Sequence, residues 1–296
     1  MRTPWLTDPR RRPATNRSEA AFNRADLLIL LGVLGLLGSL QFAALGNSKT
    51  GGRAAVCLNN LRRMAAAWQM YAQENHEELP GNLDGGDVMT LSNSNQTWVL
   101  GWFDFRGGNA FPTNAGGSAD TNTFILTQAS QLAPYLSRDA RPFKCPADTS
   151  LSYGVHGSPR VRSISMNSYI GNRSGPYTAG YHQFRTLGEF NRLPPAQAFV
   201  FVDEREDSIN DACLQVSMDG AEPPDSSRYM WIDYPSDYHN RGANLSFADG
   251  HVETWRWRDP RTLRPHNPAQ LLPLGVSSPN NPDIVRLHAA ASFKEH

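Results

Sequence analysis

The stretch LLILLGVLGLLGSLQFAAL, from Leu27 to Leu45, is the longest apolar run in this chain of 296 residues. A helix rises about 1.5 Å per residue, so the run would span roughly 28 Å, close to the ~30 Å hydrocarbon core of a bilayer. The residues that follow it are soluble in character. We therefore expect one membrane-spanning helix followed by a head that lies in water.

Charge is distributed unevenly on the two sides of this run. Residues 1–21 carry five arginines against Asp8 and Glu19, a net charge of +3, which leaves −3 for the rest of a chain whose total charge is zero. Positive flanking charge is typical of the cytoplasmic side of a membrane helix, so the head is predicted to be exported, to the periplasm or the cell exterior. The neutral total gives no sign of nucleic-acid binding.

Three interpretations of the N-terminal segment are open. A cleaved signal peptide has a shorter apolar core and a small-residue cleavage site, which the exit at Phe42, Ala43 and Ala44 matches poorly. A plain membrane anchor fits the length but leaves Asp26 unexplained. The third interpretation is the leader of a type IV pilin-like protein, which a peptidase cuts before the apolar core.

The run from Ala21 to Leu28 carries a resemblance to prepilins. Its sequence, AFNRADLL, resembles the prepilin pattern of a small residue, then Phe, then an acid at the fifth mature position. The resemblance implies cleavage between Ala21 and Phe22 by prepilin peptidase and methylation of Phe22. It also implies that Asp26 pairs with the terminal amine of a neighbouring subunit. In prepilins, Gly usually occupies the position of Ala21, and Glu usually occupies the position of Asp26.

A second helix is predicted directly after the apolar run. Residues 54–73 repeat apolar side chains every three to four positions, as an amphipathic helix does, and Gly46 to Gly52 are predicted to loosen the chain before it. The segments Cys57–Arg63 and Trp68–Ala72 resemble a large pseudopilin-related family with prepilin-type processing. That resemblance implies a helix packed on a β-sheet.

Short β-type runs separated by Gly-, Asn-, Ser- and Pro-rich loops fill the chain from residue 81 onward. Strands are predicted in residues 96–105, 160–170, 198–203 and 243–257, and a short helix in residues 282–293. The predicted class is α+β and pilin-like: a long N-terminal helix packed on an antiparallel sheet with long loops. Its parts are a leader (1–21), a membrane and assembly helix (22–45) and a head (46–296).

Nine residues separate His239 from Asp249-Gly250, and this His-x9-Asp-Gly spacing resembles the signature of the same family. The residues around it predict a β-hairpin within 239–257, with Asp249 and Gly250 as a two-residue turn. His239 has two interpretations. It is either a metal ligand or pH-sensitive carboxylate partner, or a histidine that hydrogen-bonds to backbone at the hairpin entry, and we favour the second.

An acidic segment follows the predicted strand 198–202. Its carboxylates offer the hard oxygen ligands that Ca²⁺ prefers, although the spacing is not that of an EF-hand. A calcium site and a solvated acidic loop are the two interpretations. The candidate calcium ligands are Asp203, Glu204, Glu206, Asp207 and Asp211.

The chain has three cysteines, so one must remain unpaired in a monomer. An oxidising, exported location permits one disulfide, for which Cys57 and Cys145 are the predicted pair. Three buried thiols are the alternative.

The sequence lacks the patterns of a serine hydrolase, a phosphate loop or a Cys-x-x-Cys site. We therefore expect a non-catalytic protein. The resemblance implies a structural subunit of a type II secretion or type IV pilus-like system, in the inner membrane, whose partners are prepilin peptidase, other pseudopilins and lipid. No cofactor is expected other than Ca²⁺. The alternative is a membrane-anchored module that binds extracellular polysaccharide, suggested by the aromatic residues Tyr229, Trp231, Tyr234, Tyr238, Trp255 and Trp257.

Overall fold

The computed structural model describes residues 24–105, 118–171, 177–268 and 270–295, without the side chains of residues 26 and 34–51. The leader, and with it the predictions for Ala21 and Phe22, lies outside the described residues. The chain divides into two compact units, Met1–Lys49 and Thr50–His296, which are described separately.

Helix α1 runs from Arg24 to Glu74. The predicted amphipathic helix 54–73 is confirmed as its C-terminal part. The predicted loosening at residues 46–52 is wrong, since these residues are helical as well. A glycine costs a helix only about 1 kcal/mol, and the Gly51-Gly52 pair lies in the interior of a helix of 51 residues.

At its start, α1 presents apolar side chains to solvent. Leu28 and Ile29 are 69% and 65% exposed, and Leu27, Leu30, Leu31 and Val33 are about half exposed. The predicted membrane-spanning run continues through residues 34–45, whose side chains are not described. Among the described residues, no helix has an apolar stretch long enough to cross a bilayer.

The part of α1 that belongs to the head buries one stripe of side chains. Cys57, Leu61, Met64, Trp68 and Ala72 follow one another at spacings of three and four, and all are fully buried. These spacings place them on a single helical face. The last four join the hydrophobic core that the strands of the head also line.

A five-stranded sheet forms the centre of the head, in the order β5-β3-β4-β7-β8. Its strands are β3 (Ile164–Asn167), β4 (Phe199–Asp203), β5 (Cys213–Leu214), β7 (Gly242–Phe247) and β8 (Val252–Arg256). All neighbours are antiparallel except β3 and β5. Strands β3, β4 and β7 are buried along their whole length.

Smaller elements surround this sheet. Strands β1 (Leu151–Tyr153) and β2 (His156–Pro159) form one antiparallel pair, and β6 (Met230–Trp231) and β9 (Val276–Ser277) form another. Helix α2 (Phe124–Thr127) is a single turn, and α3 (Pro282–Ala291) lies near the C-terminus. Short 3-10 helices are Gly85–Met89, Leu91–Asn93, Pro134–Leu136, Arg141–Phe143, Leu187–Glu189 and Ser226–Arg228.

The expected mixture of α-helix and mostly antiparallel sheet is confirmed at this level. The strands predicted in 198–203 and 243–257 are β4 and the β7–β8 hairpin, and α3 matches the predicted C-terminal helix. The strand predicted in 96–105 is wrong. Its amide groups donate to scattered carbonyls, Trp98 to Gly81 (2.7 Å) and Phe103 to Asn210 (2.7 Å) among them, so no ladder forms.

Candidate metal centre

Four side chains from distant parts of the sequence converge inside the head. Cys57, Cys145, Asp203 and His239 are all buried, and one ligand atom from each lies within 4.8 Å of the other three. The Cys57 Sγ lies 3.1 and 3.2 Å from the two Asp203 carboxylate oxygens. The His239 Nε2 lies 3.2 Å from both the Cys145 Sγ and the Asp203 Oδ2. We call these four residues the buried cluster.

Each member of the buried cluster comes from a different element. Cys57 belongs to the buried stripe of α1, and Cys145 follows the 3-10 turn Arg141–Phe143. Asp203 is the last residue of β4. Its carbonyl accepts a hydrogen bond from the Ser236 amide (2.7 Å), which holds the loop before β7 beside the end of β4. His239 ends that loop, and its amide donates to the Gly242 carbonyl (3.0 Å) at the start of β7.

Neighbouring amide groups position the buried cluster. The Ala147 amide donates to the Cys145 Sγ (3.4 Å), and the Asn244 amide donates to the Asp203 Oδ2 (3.3 Å). On α1, the Asn60 side chain donates to the carbonyls of Arg141 (3.1 Å) and Lys144 (3.0 Å). These bonds hold the loop that carries Cys145 against the helix that carries Cys57.

The environment shifts the titration of three members in different directions. Burial raises the pKa of the Cys57 thiol well above its usual value, and the Asp203 charge adds to this shift. Hydrogen bonds from Cys57 and His239 lower the pKa of Cys145 despite its burial. Burial alone would lower the pKa of His239, but its hydrogen bonds to Asp203 and Cys145 prevail and raise that pKa to about 10. The surroundings therefore disfavour the thiolate at Cys57 and make the Cys145 thiol more acidic than usual.

The geometry of the histidine distinguishes this arrangement from a catalytic triad. In a triad, one ring nitrogen faces the nucleophile and the other faces the acid. Here a single nitrogen, the His239 Nε2, faces both Cys145 and Asp203. All four residues are also almost fully buried, so a substrate has no access to the thiols. Donors that point to one central position are the arrangement of a metal site.

The disulfide predicted between Cys57 and Cys145 is not formed, and all three cysteines are free and buried. The prediction chose two cysteines that do lie together. Their sulfurs, however, are engaged by Asp203 and His239. Cys213 is separate, with its Sγ 3.6 Å from the Leu83 carbonyl.

The favoured interpretation of His239, a histidine that hydrogen-bonds to backbone at the hairpin entry, is wrong for its side chain. The backbone amide of His239 does make a hydrogen bond at the hairpin entry, but the imidazole faces a carboxylate and a thiol. The other interpretation, a metal ligand or carboxylate partner, describes the observed contacts.

The predicted hairpin is confirmed, but its turn differs. The Phe247 amide donates to the His251 carbonyl (3.0 Å) and the Gly250 amide donates to the Phe247 carbonyl (2.9 Å), so residues 248–250 form a three-residue loop. Gly250 has a φ of +92°, which suits glycine at the last loop position. The Asp249 carboxylate accepts from the His251 amide (3.1 Å) and stays within the loop.

The five candidate calcium ligands do not converge. Asp203 belongs to the buried cluster, Glu204 accepts from the Ser208 hydroxyl (2.7 Å), and Asp211 accepts from the Gly85 and Cys213 amides (3.0 and 2.8 Å). Burial raises the pKa of Glu204 to about 8 and that of Asp211 to about 6, which disfavours the charged forms. Asp203 and Glu204 lie in extended backbone, where successive side chains point in opposite directions, so these two acids face different surroundings.

The other two acids of this segment belong to a network that the sequence did not indicate. Glu206 Oε1 lies 2.8 Å from His266 Nδ1, and Asp237 Oδ1 lies 2.7 Å from His266 Nε2. Asp207 is close to Glu206 and His266, but both of its oxygens accept hydrogen bonds from Arg205. A guanidinium therefore already supplies the positive charge here. His266 stands in a polar loop, and no pattern in the sequence pointed to it.

The aromatic residues considered for polysaccharide binding lie mostly inside the head. Tyr234 has no exposed surface, and Tyr229, Trp231, Trp255 and Trp257 expose less than a tenth of theirs. The Trp257 indole nitrogen donates inward to the Ser236 carbonyl (2.7 Å). These rings do not form a sugar-binding surface.

Comparison of the chain with protein-family models, with curated proteins and with solved structures gives no match. The pseudopilin resemblance consequently stays a prediction that depends on the residues quoted for it.

Proposed function

We propose that this chain is a non-catalytic, pseudopilin-like structural subunit of a type II secretion or type IV pilus-like system. In this proposal, prepilin peptidase removes the basic leader before Phe22, and the N-terminal helix anchors the chain in the inner membrane. The head lies on the periplasmic or extracellular side. Other pseudopilin subunits and membrane lipid are its partners.

The observation that carries the proposal is the exposed apolar start of α1. Leu27, Leu28, Ile29, Leu30, Leu31 and Val33 leave about half or more of their surface open. Burying one such side chain stabilises a protein by roughly 1.5–3 kcal/mol. Covering the open half of all six would therefore contribute on the order of 5–10 kcal/mol. Lipid or the helices of neighbouring subunits would supply that cover.

The construction of the head supports the same function. The buried stripe from Leu61 to Ala72 makes the second half of α1 part of the head's core. The same continuous helix carries the exposed apolar side chains at its start and the buried stripe near its end. In the proposed filament subunit, one helix therefore serves both for assembly and as a core element of the head.

A structural rather than catalytic role is consistent with where the reactive groups lie. The thiols, the imidazole and the carboxylate of the buried cluster have almost no exposed surface. None of these four residues lines the groove beside α1. Its lining residues are Val56, Asn59, Asn60, Arg63, Thr123, Ala140, Arg141, Lys144, Pro146 and Val161. The polysaccharide-binding alternative loses its main argument, because the aromatic residues that suggested it are core residues.

Mass spectrometry of the mature N-terminus tests this function. Full-length protein would be produced together with a prepilin peptidase, and we expect a chain that begins at a methylated Phe22. A mature chain that begins near Ser48, as after signal-peptide cleavage, would refute the proposal.

Asp26 provides a second test with a matched control. A carboxylate within hydrocarbon costs about 2.5–3.5 kcal/mol unless it is paired, and its partner here would be the terminal amine of the next subunit. Asp26→Ala should abolish cross-linked oligomers in membranes, whereas Asp26→Glu keeps the charge and should retain them. If Asp26→Ala leaves trimming, export and self-association unchanged, the proposed assembly is wrong.

A further inference from the structure

The buried cluster has the composition of a transition-metal site. Two sulfurs, one imidazole nitrogen and one carboxylate oxygen are four donors from which Zn²⁺ builds tetrahedral sites. Thiolates exclude Ca²⁺ and Mg²⁺, which take oxygen ligands, and favour thiophilic ions. The four residues are Cys57, Cys145, Asp203 and His239.

The distances fit such an ion. With Zn–S of about 2.3 Å and Zn–N or Zn–O of about 2.0–2.2 Å, tetrahedral geometry places neighbouring donor atoms roughly 3.3–3.8 Å apart. The observed contacts are 3.1 Å from the Cys57 Sγ to Asp203, and 3.2 Å from the His239 Nε2 to both Asp203 and the Cys145 Sγ. These three contacts lie within a few tenths of an ångström of the tetrahedral values, and all four ligand atoms lie within 4.8 Å of one another.

Proton sharing alone accounts poorly for the contacts of His239. Its Nε2 carries at most one hydrogen, yet it lies 3.2 Å from two acceptors, the Cys145 Sγ and the Asp203 Oδ2. One N–H group can be well aligned with only one of them, so the other contact is at best a weak, shared hydrogen bond. A cation between these donors would be bound by the nitrogen, the sulfur and the oxygen together.

The surroundings supply the donors that a metal-bound thiolate needs. The Ala147 amide points at the Cys145 Sγ, two residues along the chain. The Asn244 side-chain nitrogen is buried without a hydrogen bond, and the amide of the same residue donates to the Asp203 Oδ2. Partners of this kind orient metal ligands and offset the negative charge of two thiolates and a carboxylate.

We propose that Cys57, Cys145, Asp203 and His239 bind one Zn²⁺ ion that joins α1 to the sheet of the head. The site is structural, because all four ligand positions come from the protein and none is open to a substrate. Each thiol releases its proton to solvent when the metal binds. Cys57 and Asp203 are 146 positions apart, so the ion closes a long loop and stabilises the attachment of the helix. This inference does not depend on the proposed membrane function.

Metal analysis of the full-length protein tests the site. The chain would be purified in detergent with a non-chelating reductant and analysed by plasma mass spectrometry, where we expect about one zinc ion per chain. Cys57→Ser and His239→Asn should lose the zinc. Cys213→Ser is the matched control, since Cys213 is equally buried but lies outside the buried cluster, and it should keep the zinc.

Cobalt substitution gives a readout that does not depend on whether a variant is stable. Wild-type protein loaded with Co²⁺ should show thiolate-to-cobalt charge-transfer absorption and strong visible bands of tetrahedral cobalt, and a chelator should remove the bands and lower the melting temperature. Three results would overturn the proposal: wild-type protein with neither zinc nor these bands, a Cys57–Cys145 disulfide in the isolated protein, or undiminished zinc in both ligand variants.

Discussion

Replacing Trp68 by alanine tests whether the buried stripe of α1 holds the head together. Trp68 has no exposed surface and packs edge-on against Phe190, with the ring centroids 6.2 Å apart. It is among the largest fully buried side chains in the described part of the chain. Its indole Nε1 is buried without a hydrogen-bond partner.

The size of the effect follows from these contacts. Truncating a buried Trp to Ala removes apolar contacts and leaves a cavity, for which we expect a loss of about 3–5 kcal/mol in the free energy of unfolding. Trp68→Phe also loses volume, but it removes a buried N–H whose lack of a partner already costs about 1–3 kcal/mol. Its net cost should therefore be about 1–2 kcal/mol. Met70→Ala is the control, because Met70 is 45% exposed on the same helix, and it should change stability by less than about 0.5 kcal/mol.

Urea unfolding of the full-length chain in detergent, followed by near-ultraviolet circular dichroism, measures all three variants. The reasoning is refuted if Trp68→Ala and Met70→Ala shift the midpoint equally, since the stripe would then contribute nothing. If Trp68→Phe costs as much as Trp68→Ala, the indole N–H has a partner and the smaller estimate is wrong.

Two further predictions concern the loop network and α3. Asp237 and Glu206 raise the pKa of His266 to about 10, although burial and Arg205 oppose them. The imidazolium therefore stabilises the head fully below pH ~6.5, and this contribution declines as the pH rises towards 10. The stability difference between wild type and His266→Asn should shrink over that interval in urea titrations. Asn281 caps α3 by accepting from the Asp283 amide (2.9 Å), and its buried side chain also makes two donor contacts. Asn281→Ala should cost about 2–3 kcal/mol by the same assay.

A specific result would contradict each of these two predictions. A stability difference for His266→Asn that stays constant from pH 6 to 9.5 would mean that the ion pairs do not form in solution. Asn281→Asp retains the capping acceptor but loses the amide donors, so it should fall between wild type and the alanine variant. If the aspartate variant is as unstable as the alanine variant, the donor contacts rather than the cap hold the start of α3.

Local patterns predicted the elements that local physics stabilises. The three-to-four-residue apolar repeat around Trp68 predicted the second half of α1, and the short helix predicted in residues 282–293 is α3. The hairpin predicted within residues 239–257 is the β7–β8 pair. Residues 96–105 have the composition of a strand but form none, because their hydrogen-bond partners lie on other segments. Sequence composition cannot indicate such distant partners.

The members of the candidate site were recognised singly but grouped wrongly. Sequence patterns suggested that Asp203 joins its acidic neighbours, that Cys57 and Cys145 form a disulfide, and that His239 bonds to the backbone. The structure combines these four residues in one cluster and sends the neighbouring acids elsewhere. Proximity in sequence suggested the first grouping, but the chain leaves β4 after Asp203, and the acids that follow find other partners.

The sequence alone determined the second half of α1, the β7–β8 hairpin, α3, the apolar N-terminal run and the residues with reactive side chains, because each depends on neighbours within a turn or a strand pair. Only the tertiary structure decided which of those side chains meet. Cys57 and Asp203 contact each other across 146 positions because packing α1 on the sheet brings them together. That packing is a property of the whole core, so no local segment of the sequence encodes it.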